Sequence, residues 1–273
     1  MANQVELLAR ELARAFAERH LVPTPPSARG DGFDLTAAYA VEGELARQRR
    51  TEGRTAVGIK VGYANKAMWR VLKLDTLVWA HMYDDTVQYA NANEASLSIS
   101  HMISPKIEPE IVFKMKTPLG GGVTDAAAAL GAVEWLALGF EIIDCPYADW
   151  KYQPADFVAA YGLHAALIVG ERRAVTADTI PELVEQLPAF TVRLSRDGEL
   201  VAEGSGRNAL RSPVLCLAEL ASAMAKQSGT EPLAVGDLVS SGTLTDSTPI
   251  QPGATWTAAV EGIDLTSLNV RLS

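Results

Sequence analysis

The sequence predicts an α+β protein in which a helical region precedes a core made mostly of β-strands. In residues 3–20, apolar side chains recur at helical spacing, with glutamate and arginine on the opposite face. From residue 56 onward, the chain consists largely of short runs rich in β-branched and aromatic residues, separated by Gly, Pro and Asp. The 273 residues, 48% of them hydrophobic, can bury a large core.

The helical region is predicted to contain two helices. The first ends before a proline-rich segment, and the second begins at Asp34 or Thr36, either of which can cap it, and runs to about Gly53. We therefore predict two domains, a helical region at 1–55 and a catalytic core at 56–273.

Two further helices and one hairpin are predicted inside the core. An alanine-rich stretch predicts a helix with Thr124 as its N-cap and Gly139 as its C-terminal stop, between two β-like runs. Residues 212–229 predict another helix, with a proline near its start. Asp197 and Gly198 lie between two β-like runs and predict a hairpin turn.

Charge and hydropathy exclude several classes of partner. With 33 acidic and 24 basic residues the net charge is -9, and no basic run is dense enough to follow a phosphate backbone, so we expect no nucleic-acid partner. No segment has the roughly 20 apolar residues needed to span a bilayer, and the charged N-terminus does not resemble a signal peptide. We therefore predict a cytoplasmic protein.

The two cysteines, Cys145 and Cys216, lack metal-type spacing, and we predict that both are buried free thiols.

The run "SPKIEPEIVFK" places two glutamates in an otherwise apolar β-like segment. In a strand, Glu108 and Glu110 project to the same side, so their carboxylates converge. Burying two like charges together is costly unless a cation compensates them. The alternative is the solvated face of an edge strand, which Pro109 favours because it cannot donate to a β-ladder.

A third carboxylate, Glu141 in "LGFEIIDC", follows after one predicted helix. If the two strands are neighbours joined by a crossover, Glu141 meets the pair. Three carboxylates without nearby His or Cys suit a hard divalent ion, Mg²⁺ or Mn²⁺, with open positions. A 2-oxo acid offers two oxygens at chelating distance, which makes a small 2-oxo acid the predicted substrate.

The motifs "GIKVGY", "SPKIEPEIVF", "LGFEIIDCPYADWKY" and "GDLVSSGTLTD" together resemble the fumarylacetoacetate hydrolase superfamily. Within it they resemble the branch of 2-hydroxypenta-2,4-dienoate hydratases and 4-oxalocrotonate decarboxylases. The resemblance covers roughly residues 55–273 and implies a mixed β-roll core with an N-terminal helical region. Members of the family are commonly dimers or larger, which implies a homo-oligomer.

Carried over by position, the resemblance implies roles for individual residues. It makes Glu108, Glu110 and Glu141 the metal ligands. It makes Lys60 the catalytic lysine near the carboxylate and enol oxygen of the substrate.

The late segment "SSGTLTD" matches the part of the family that holds the substrate carboxylate. The resemblance makes Gly242 and Thr243 the substrate-binding residues. Without the family, the same segment is a polar turn between strands.

The chain departs from the hydratases at two places. His81 stands where they usually carry an Asp, and Tyr161, Leu163 and His164 replace a polar run. His81 and His164 are therefore candidate catalytic residues, each able to act as a general base near neutral pH. Each can also be a hydrogen-bonded core histidine; for His81 the matching family position of an active-site acid favours a functional role, and for His164 the two interpretations stand level.

The leading functional prediction is a metal-dependent hydratase of a 2-hydroxydienoate or 2-oxo-enoate from aromatic meta-cleavage catabolism. The same chelation supports two alternatives, decarboxylation of a vinylogous β-keto acid and carbon–carbon hydrolysis of an acylpyruvate. A third alternative is a non-catalytic partner subunit. Retention of the three glutamates and of Lys60 argues against it, because a protein kept only for its surface does not need that charge cluster.

Overall fold

The computed structural model describes residues 2–30, 32–227 and 229–273. The described helices are α1 (Ala2–Ala17), α2 (Leu35–Thr51), α3 (Lys66–Leu72), α4 (Ala126–Gly131), α5 (Pro154–Ala159), α6 (Ile180–Ala189) and α7 (Pro213–Lys226). The described strands are β1 (Ala56–Gly62), β2 (Val78–Tyr83), β3 (Val87–Tyr89), β4 (Glu94–Leu97), β5 (Pro105–Met115), β6 (Val133–Asp144), β7 (His164–Ala174), β8 (Thr191–Arg196), β9 (Glu199–Ser205), β10 (Leu238–Ser240), β11 (Thr248–Pro249), β12 (Thr255–Glu261) and β13 (Leu268–Leu272). Helices and mixed sheets together confirm the predicted α+β class.

The strands form two sheets. The larger has the order β2-β1-β10-β5-β6-β7-β3, with β11 paired to one end of β5, and the smaller has the order β4-β13-β12-β8-β9. Both are mixed, because β1–β10, β3–β7 and β4–β13 are parallel and the other pairs are antiparallel. The long strands β5 and β6 lie in the middle of the larger sheet, where most of their residues are buried.

Polar contacts cap the second N-terminal helix and join the segment before it to the core. Asp34 caps α2 by accepting a hydrogen bond from the backbone N–H of Ala37 at 2.9 Å, which confirms the first of the two predicted caps. The backbone N–H and the hydroxyl of Ser27 donate to Asp156, at 2.8 and 2.5 Å. The boundary between a helical region and the core, placed before residue 56, stays a prediction.

The predicted helix from Thr124 to Gly139 is wrong over most of its length. The helix α4 covers only Ala126–Gly131, Asp125 rather than Thr124 is its N-cap, and the remainder belongs to β6. Alanine favours a helix in isolation, but a segment buried between two strands gains more from pairing on both edges. The connection is also not a crossover, because β5 and β6 pair antiparallel.

Other predictions of local structure are confirmed. The turn at Asp197 and Gly198, both with positive φ, joins β8 and β9. The helix α7 lies inside the predicted range 212–229. Cys145 and Cys216 are buried free thiols. Among the described residues, no helix is long and apolar enough to cross a membrane.

Candidate active site

Three glutamates meet where β5 and β6 pair. Glu108 is directly opposite Glu141 in the antiparallel register, and Glu110 follows two residues later on the same face of β5. One carboxylate oxygen from each glutamate lies within 4.8 Å of the others. Glu110 and Glu141 are fully buried, while Glu108 is partly exposed. The cluster therefore arises from strand register, as the alternation of side chains predicts.

The protein compensates only part of the negative charge in this cluster. Burial raises the pKa of Glu108 to about 7, with Lys60 opposing and Glu141 reinforcing the effect. Burial, followed by the charges of Glu141 and Glu108, raises the pKa of Glu110 well above its ordinary value. Burial also disfavours the ionised form of Glu141, but Lys60 and His164 outweigh it and lower the pKa of Glu141. A further cation is needed to ionise all three together.

Two carboxylate oxygens of the cluster lack a hydrogen bond. Glu110 Oε2 accepts from Ser240 Oγ at 2.5 Å and from the backbone N–H of Gly242 at 2.8 Å, but Glu110 Oε1 has no hydrogen-bond partner among the described residues. Glu141 Oε2 is likewise without a hydrogen bond. Buried carboxylate oxygens are rarely left in this state. Their number, hardness and spacing fit a divalent cation with oxygen ligands.

The Lys60 ammonium lies beside the cluster. Lys60 is on β1 and is only 2% exposed. Its Nζ donates to the carbonyl oxygen of Gly162 at 2.9 Å, lies 3.1 Å from Glu141 Oε2, and sits 4.7 Å from the ring centroid of Phe157. The contact with Glu141 is a buried ion pair. Lysine offers three donors, so at least one remains for a ligand.

A left-handed turn presents the Gly162 carbonyl to Lys60. Tyr161, Gly162 and Leu163 have φ values of 55°, 59° and 57°. A Cβ on Gly162 would lie 2.9 Å from Lys60 Cδ, so a side chain at this position would displace the lysine. Non-glycine residues adopt this backbone at a cost, which indicates that the surrounding structure holds the turn in place.

Lys60 and Glu108 line a cavity of about 600 Å³. One wall carries four aromatic rings, contributed by Tyr63, Trp150, Tyr152 and Phe157. The Tyr152 and Phe157 rings are stacked, with centroids 6.4 Å apart. The cavity thus offers a polar end at the carboxylate cluster and an aromatic wall; of its four described rings, only those of Tyr152 and Phe157 are stacked.

Gly242 and Thr243 line the same cavity. The Gly242 N–H is directed at Glu110 rather than into open space, and a Cβ at Gly242 would lie 2.6 Å from the Ala64 Cβ. The Thr243 hydroxyl donates to the Thr245 carbonyl at 2.8 Å. Gly242 therefore orients a carboxylate of the cluster, while Thr243 remains at the cavity wall.

His164 lies behind the cluster. Its Nδ1 is 2.9 Å from Glu141 Oε1, and its Nε2 is 2.9 Å from Thr86 Oγ1. A carboxylate only accepts, so Nδ1 carries the proton of that bond. His164 lines a second cavity, of about 560 Å³, rather than the cavity of Lys60. Its position suits orientation of Glu141 rather than contact with a ligand.

His81 is not brought to Lys60. In the β1–β2 register, Lys60 is opposite Ala80 and His81 is opposite Ile59, so His81 projects from the other face of the sheet. Its Nδ1 is 2.6 Å from Glu42 Oε1, and its backbone N–H donates to the same oxygen at 3.1 Å. His81 therefore does not reach Lys60, because one step along a strand reverses the side chain, and its catalytic role stays a prediction.

Sequence reasoning did not select several residues that shape the site. Ser240 binds Glu110, Thr86 binds His164, and Phe157 lies under the Lys60 ammonium. Ser240 lies inside the motif "GDLVSSGTLTD", whose predicted site residues were Gly242 and Thr243, and Phe157 lies outside the quoted motifs. Their contacts join segments far apart in the chain, and spacing along one sequence carries no signal for such contacts.

The chain resembles known proteins over nearly its whole length. Residues 64–271 match the family model described as fumarylacetoacetate (FAA) hydrolase, C-terminal. A 2-hydroxypent-2,4-dienoate hydratase of Pseudomonas putida is 32% identical over 222 residues, which cover 80% of this chain and 94% of the relative. A 4-oxalocrotonate decarboxylase of Pseudomonas sp. strain CF600 is 27% identical over 263 residues, covering 96% and 94%.

A solved structure is similar over the entire chain. The 4-oxalocrotonate decarboxylase of Pseudomonas putida G7, complexed with magnesium and adipate, superposes with a TM-score of 0.89 at 25% sequence identity. The superposition covers 100% of this chain and 98% of that one, including the N-terminal helices.

Proposed function

The chain belongs to the fumarylacetoacetate hydrolase family, and on that premise we propose that it is a divalent-metal-dependent lyase, a hydratase of a 2-hydroxydienoate or 2-oxo-enoate. The hydratase among its relatives supports the reaction class. The observation that carries the proposal is the convergence of three carboxylates beside Lys60, two of them with a buried oxygen that accepts no hydrogen bond from the described residues.

Glu108, Glu110 and Glu141 are the proposed ligands of Mg²⁺ or Mn²⁺. The relative complexed with magnesium supports a divalent ion, and an all-oxygen ligand set supports either metal. When bound, the ion supplies a Lewis acid that polarises the 2-oxo group of the substrate and stabilises charge developing on it. Ser240 and the Gly242 N–H hold Glu110, and His164 holds Glu141, so that both carboxylates stay oriented.

Lys60 is the proposed proton carrier. Its contacts with Gly162 and Glu141 fix the ammonium at the edge of the cavity, and the remaining N–H is free for a substrate oxygen. Thr243, at the wall of the same cavity, is proposed to contact the substrate carboxylate. The aromatic wall excludes water from one face of a planar conjugated chain and leaves the other accessible.

The direct test is incubation of the purified protein with 2-hydroxypenta-2,4-dienoate and Mg²⁺. Ultraviolet absorbance of the conjugated dienoate should fall as 4-hydroxy-2-oxopentanoate forms, and chelation with EDTA should stop the reaction. Unchanged absorbance at high protein concentration would contradict hydration of this substrate class.

Decarboxylation is the second candidate, because the segment that carries a polar run in the hydratases contributes few polar side chains to the cavity of Lys60. Leu163 is fully buried, while Tyr161 and His164 line the other cavity. The decarboxylase relatives match the chain over nearly all of its length. Measuring CO₂ release from 2-oxohex-3-enedioate decides between the two reactions, since hydration releases none.

A further inference from the structure

The second cavity, of about 560 Å³, is the one that His164 lines, and it is separate from the cavity of Lys60. Residues of α1, α2, β2 and β7 form most of its wall. No described residue lines both cavities. Its volume falls within the range of about 300–1,000 Å³ that is usual for small-molecule sites. The proposed function places its substrate in the other cavity and leaves this one without a ligand.

The hydroxyl of Tyr83 is a free hydrogen-bonding group at this cavity. Tyr83 lies on β2, is only 4% exposed and lines the cavity. Its hydroxyl oxygen is buried and forms no hydrogen bond with any described residue. The guanidinium of Arg49 lies over its ring, with Cζ 4.9 Å from the centroid, and so restrains the side chain. Because buried polar groups are seldom left without a hydrogen bond, the hydroxyl indicates a ligand that brings a partner atom.

The remaining wall is largely aromatic and apolar. The rings of Phe16 and Tyr161 meet edge to face, with centroids 5.9 Å apart and an interplanar angle of 66°. The rings of Tyr83 and Tyr161 do the same at 6.4 Å and 88°. Aromatic rings prefer such edge-to-face contacts with one another, and methionine sulfur also contacts rings favourably. The apolar side chains around them are those of Ala13, Ala17, Met102 and Ala165.

The charges at this cavity are matched within the protein, apart from that of the exposed His101. A charged ligand would therefore lose hydration without meeting an unpaired opposite charge, so the cavity favours an uncharged one. The matched contacts are Arg14 with Glu18, Arg49 with Glu52 and Asp85, His81 with Glu42, His164 with Glu141, and Asp144 with the backbone N–H groups of Ile103 and Ser104.

We propose that the second cavity is a binding site for a small, uncharged aromatic molecule that carries an oxygen atom, and that this oxygen accepts a hydrogen bond from Tyr83. The rings of Phe16 and Tyr161 contact the ring of the ligand. Binding at this site requires neither a charge on the ligand nor chelating oxygens, and therefore no metal. The inference is independent of the proposed function.

The test is calorimetric titration of the full-length protein with acetophenone and with ethylbenzene, which has nearly the same shape but no oxygen. The wild-type protein should bind one acetophenone per chain about five- to tenfold more tightly than ethylbenzene, the size expected of one hydrogen bond to an otherwise unpaired hydroxyl. The affinity should be the same in EDTA and in Mg²⁺. Benzoate, the charged counterpart of acetophenone, should bind more weakly.

Tyr83→Phe isolates the hydroxyl. The variant should bind acetophenone no more tightly than ethylbenzene, while its affinity for ethylbenzene stays that of the wild type. Its free energy of unfolding should not fall, because the hydroxyl forms no hydrogen bond with the described residues that the substitution could remove. Tyr89→Phe is the matched control, at a tyrosine on β3 that is 43% exposed, and should leave the affinities for both ligands unchanged.

A variant that fills the cavity locates the bound ligand. Ala13→Phe places a ring at the wall on α1 and should abolish binding of both ligands. Loss of acetophenone binding in EDTA would place the ligand at the carboxylate cluster and overturn the inference. Absence of binding at millimolar acetophenone, tighter binding of benzoate, or an acetophenone affinity that neither Tyr83→Phe nor Ala13→Phe lowers would also overturn it. The proposed function would survive each of these results, since Mg²⁺ titration tests it separately.

Discussion

Two buried carboxylate sites on opposite faces of the same sheet differ in how many of their oxygens the protein supplies with hydrogen bonds and opposite charges. Glu42 is 3% exposed and receives both the imidazole and the backbone N–H of His81. The cluster of Glu108, Glu110 and Glu141 has one lysine and one histidine for three acids, and two of its oxygens lack hydrogen bonds. A satisfied pair stabilises the fold, whereas an unsatisfied cluster beside a cavity indicates a binding site.

Replacing Lys60 should give the largest effect on activity. Lys60→Met removes the proposed proton carrier and should lower kcat by about 10²–10⁴-fold, the usual contribution of a positioned acid or base. Metal affinity should persist, because the three carboxylates remain. Lys114→Met is the matched control, since Lys114 also donates to a glycine carbonyl, that of Gly236. Equal losses of kcat in both variants would mean that Lys60 contributes only to folding.

Metal affinity should fall steeply as the pH decreases. The pKa of Glu108 is raised to about 7 by burial, so below that pH a divalent ion must displace a proton from the cluster. Each proton displaced lowers the apparent affinity about tenfold per pH unit, hence at least about 100-fold between pH 7 and pH 5, because burial also raises the pKa of Glu110. Titration of Mg²⁺ at several pH values measures the slope, and a flat profile would contradict ligation by this cluster.

His164 should affect metal affinity through orientation of Glu141. His164→Leu removes the Nδ1 donor and should weaken metal binding about 10- to 100-fold, as is usual for residues that hold a ligand in place. His164→Asn restores an N–H at a similar position and should recover part of the affinity. If leucine and asparagine behave alike, the histidine does not orient Glu141.

His81 should affect stability and leave metal binding unchanged. His81→Gln disturbs the bond to buried Glu42 and should reduce the free energy of unfolding by about 1–3 kcal/mol. His101→Gln, at an exposed histidine, is the control. Urea denaturation measures the stability of both variants, and Mg²⁺ titration measures their metal binding. Weaker metal binding by His81→Gln would show that the Glu42–His81 pair is coupled to the carboxylate cluster.

The smallest expected effect is the pH dependence of the contribution that His81 makes to the free energy of unfolding. Burial disfavours the imidazolium of His81, but the hydrogen bond and charge of Glu42 outweigh it and raise the pKa of His81 above 6.5. A raised pKa contributes stability that is fully present below 6.5 and is lost as the pH rises through the folded-state value. The stability difference between wild type and His81→Gln should therefore shrink from pH 6 to pH 9; a constant difference would show that no charge is involved.

The comparison also shows which parts of the molecule local sequence determines. Alternation of side chains along a strand was enough to place Glu108 and Glu110 together, and turn chemistry was enough to place the hairpin at Asp197 and Gly198. Both depend on interactions between near neighbours in the chain.

Features set by tertiary context were not predictable in the same way. The run "AVEWLAL" carries a helix-compatible pattern, but its place between β5 and β7 makes it a strand. The resemblance matched His81 to a family active-site acid, and strand register turns it towards Glu42. Ser240, Thr86 and Gly162 reach the site only through contacts between distant segments.

The most direct test of the account is a calorimetric titration of Mn²⁺ into the wild-type protein and into Glu110→Gln. Glutamine preserves the shape of the side chain and keeps one oxygen to accept from Ser240 and Gly242, while it removes the charge and replaces the other oxygen by an amide NH₂ that cannot bind a cation. We expect one ion bound per chain in the wild type and at least about 100-fold weaker binding in the variant. Equal affinity and stoichiometry in the two proteins would show that the three carboxylates do not form the metal site.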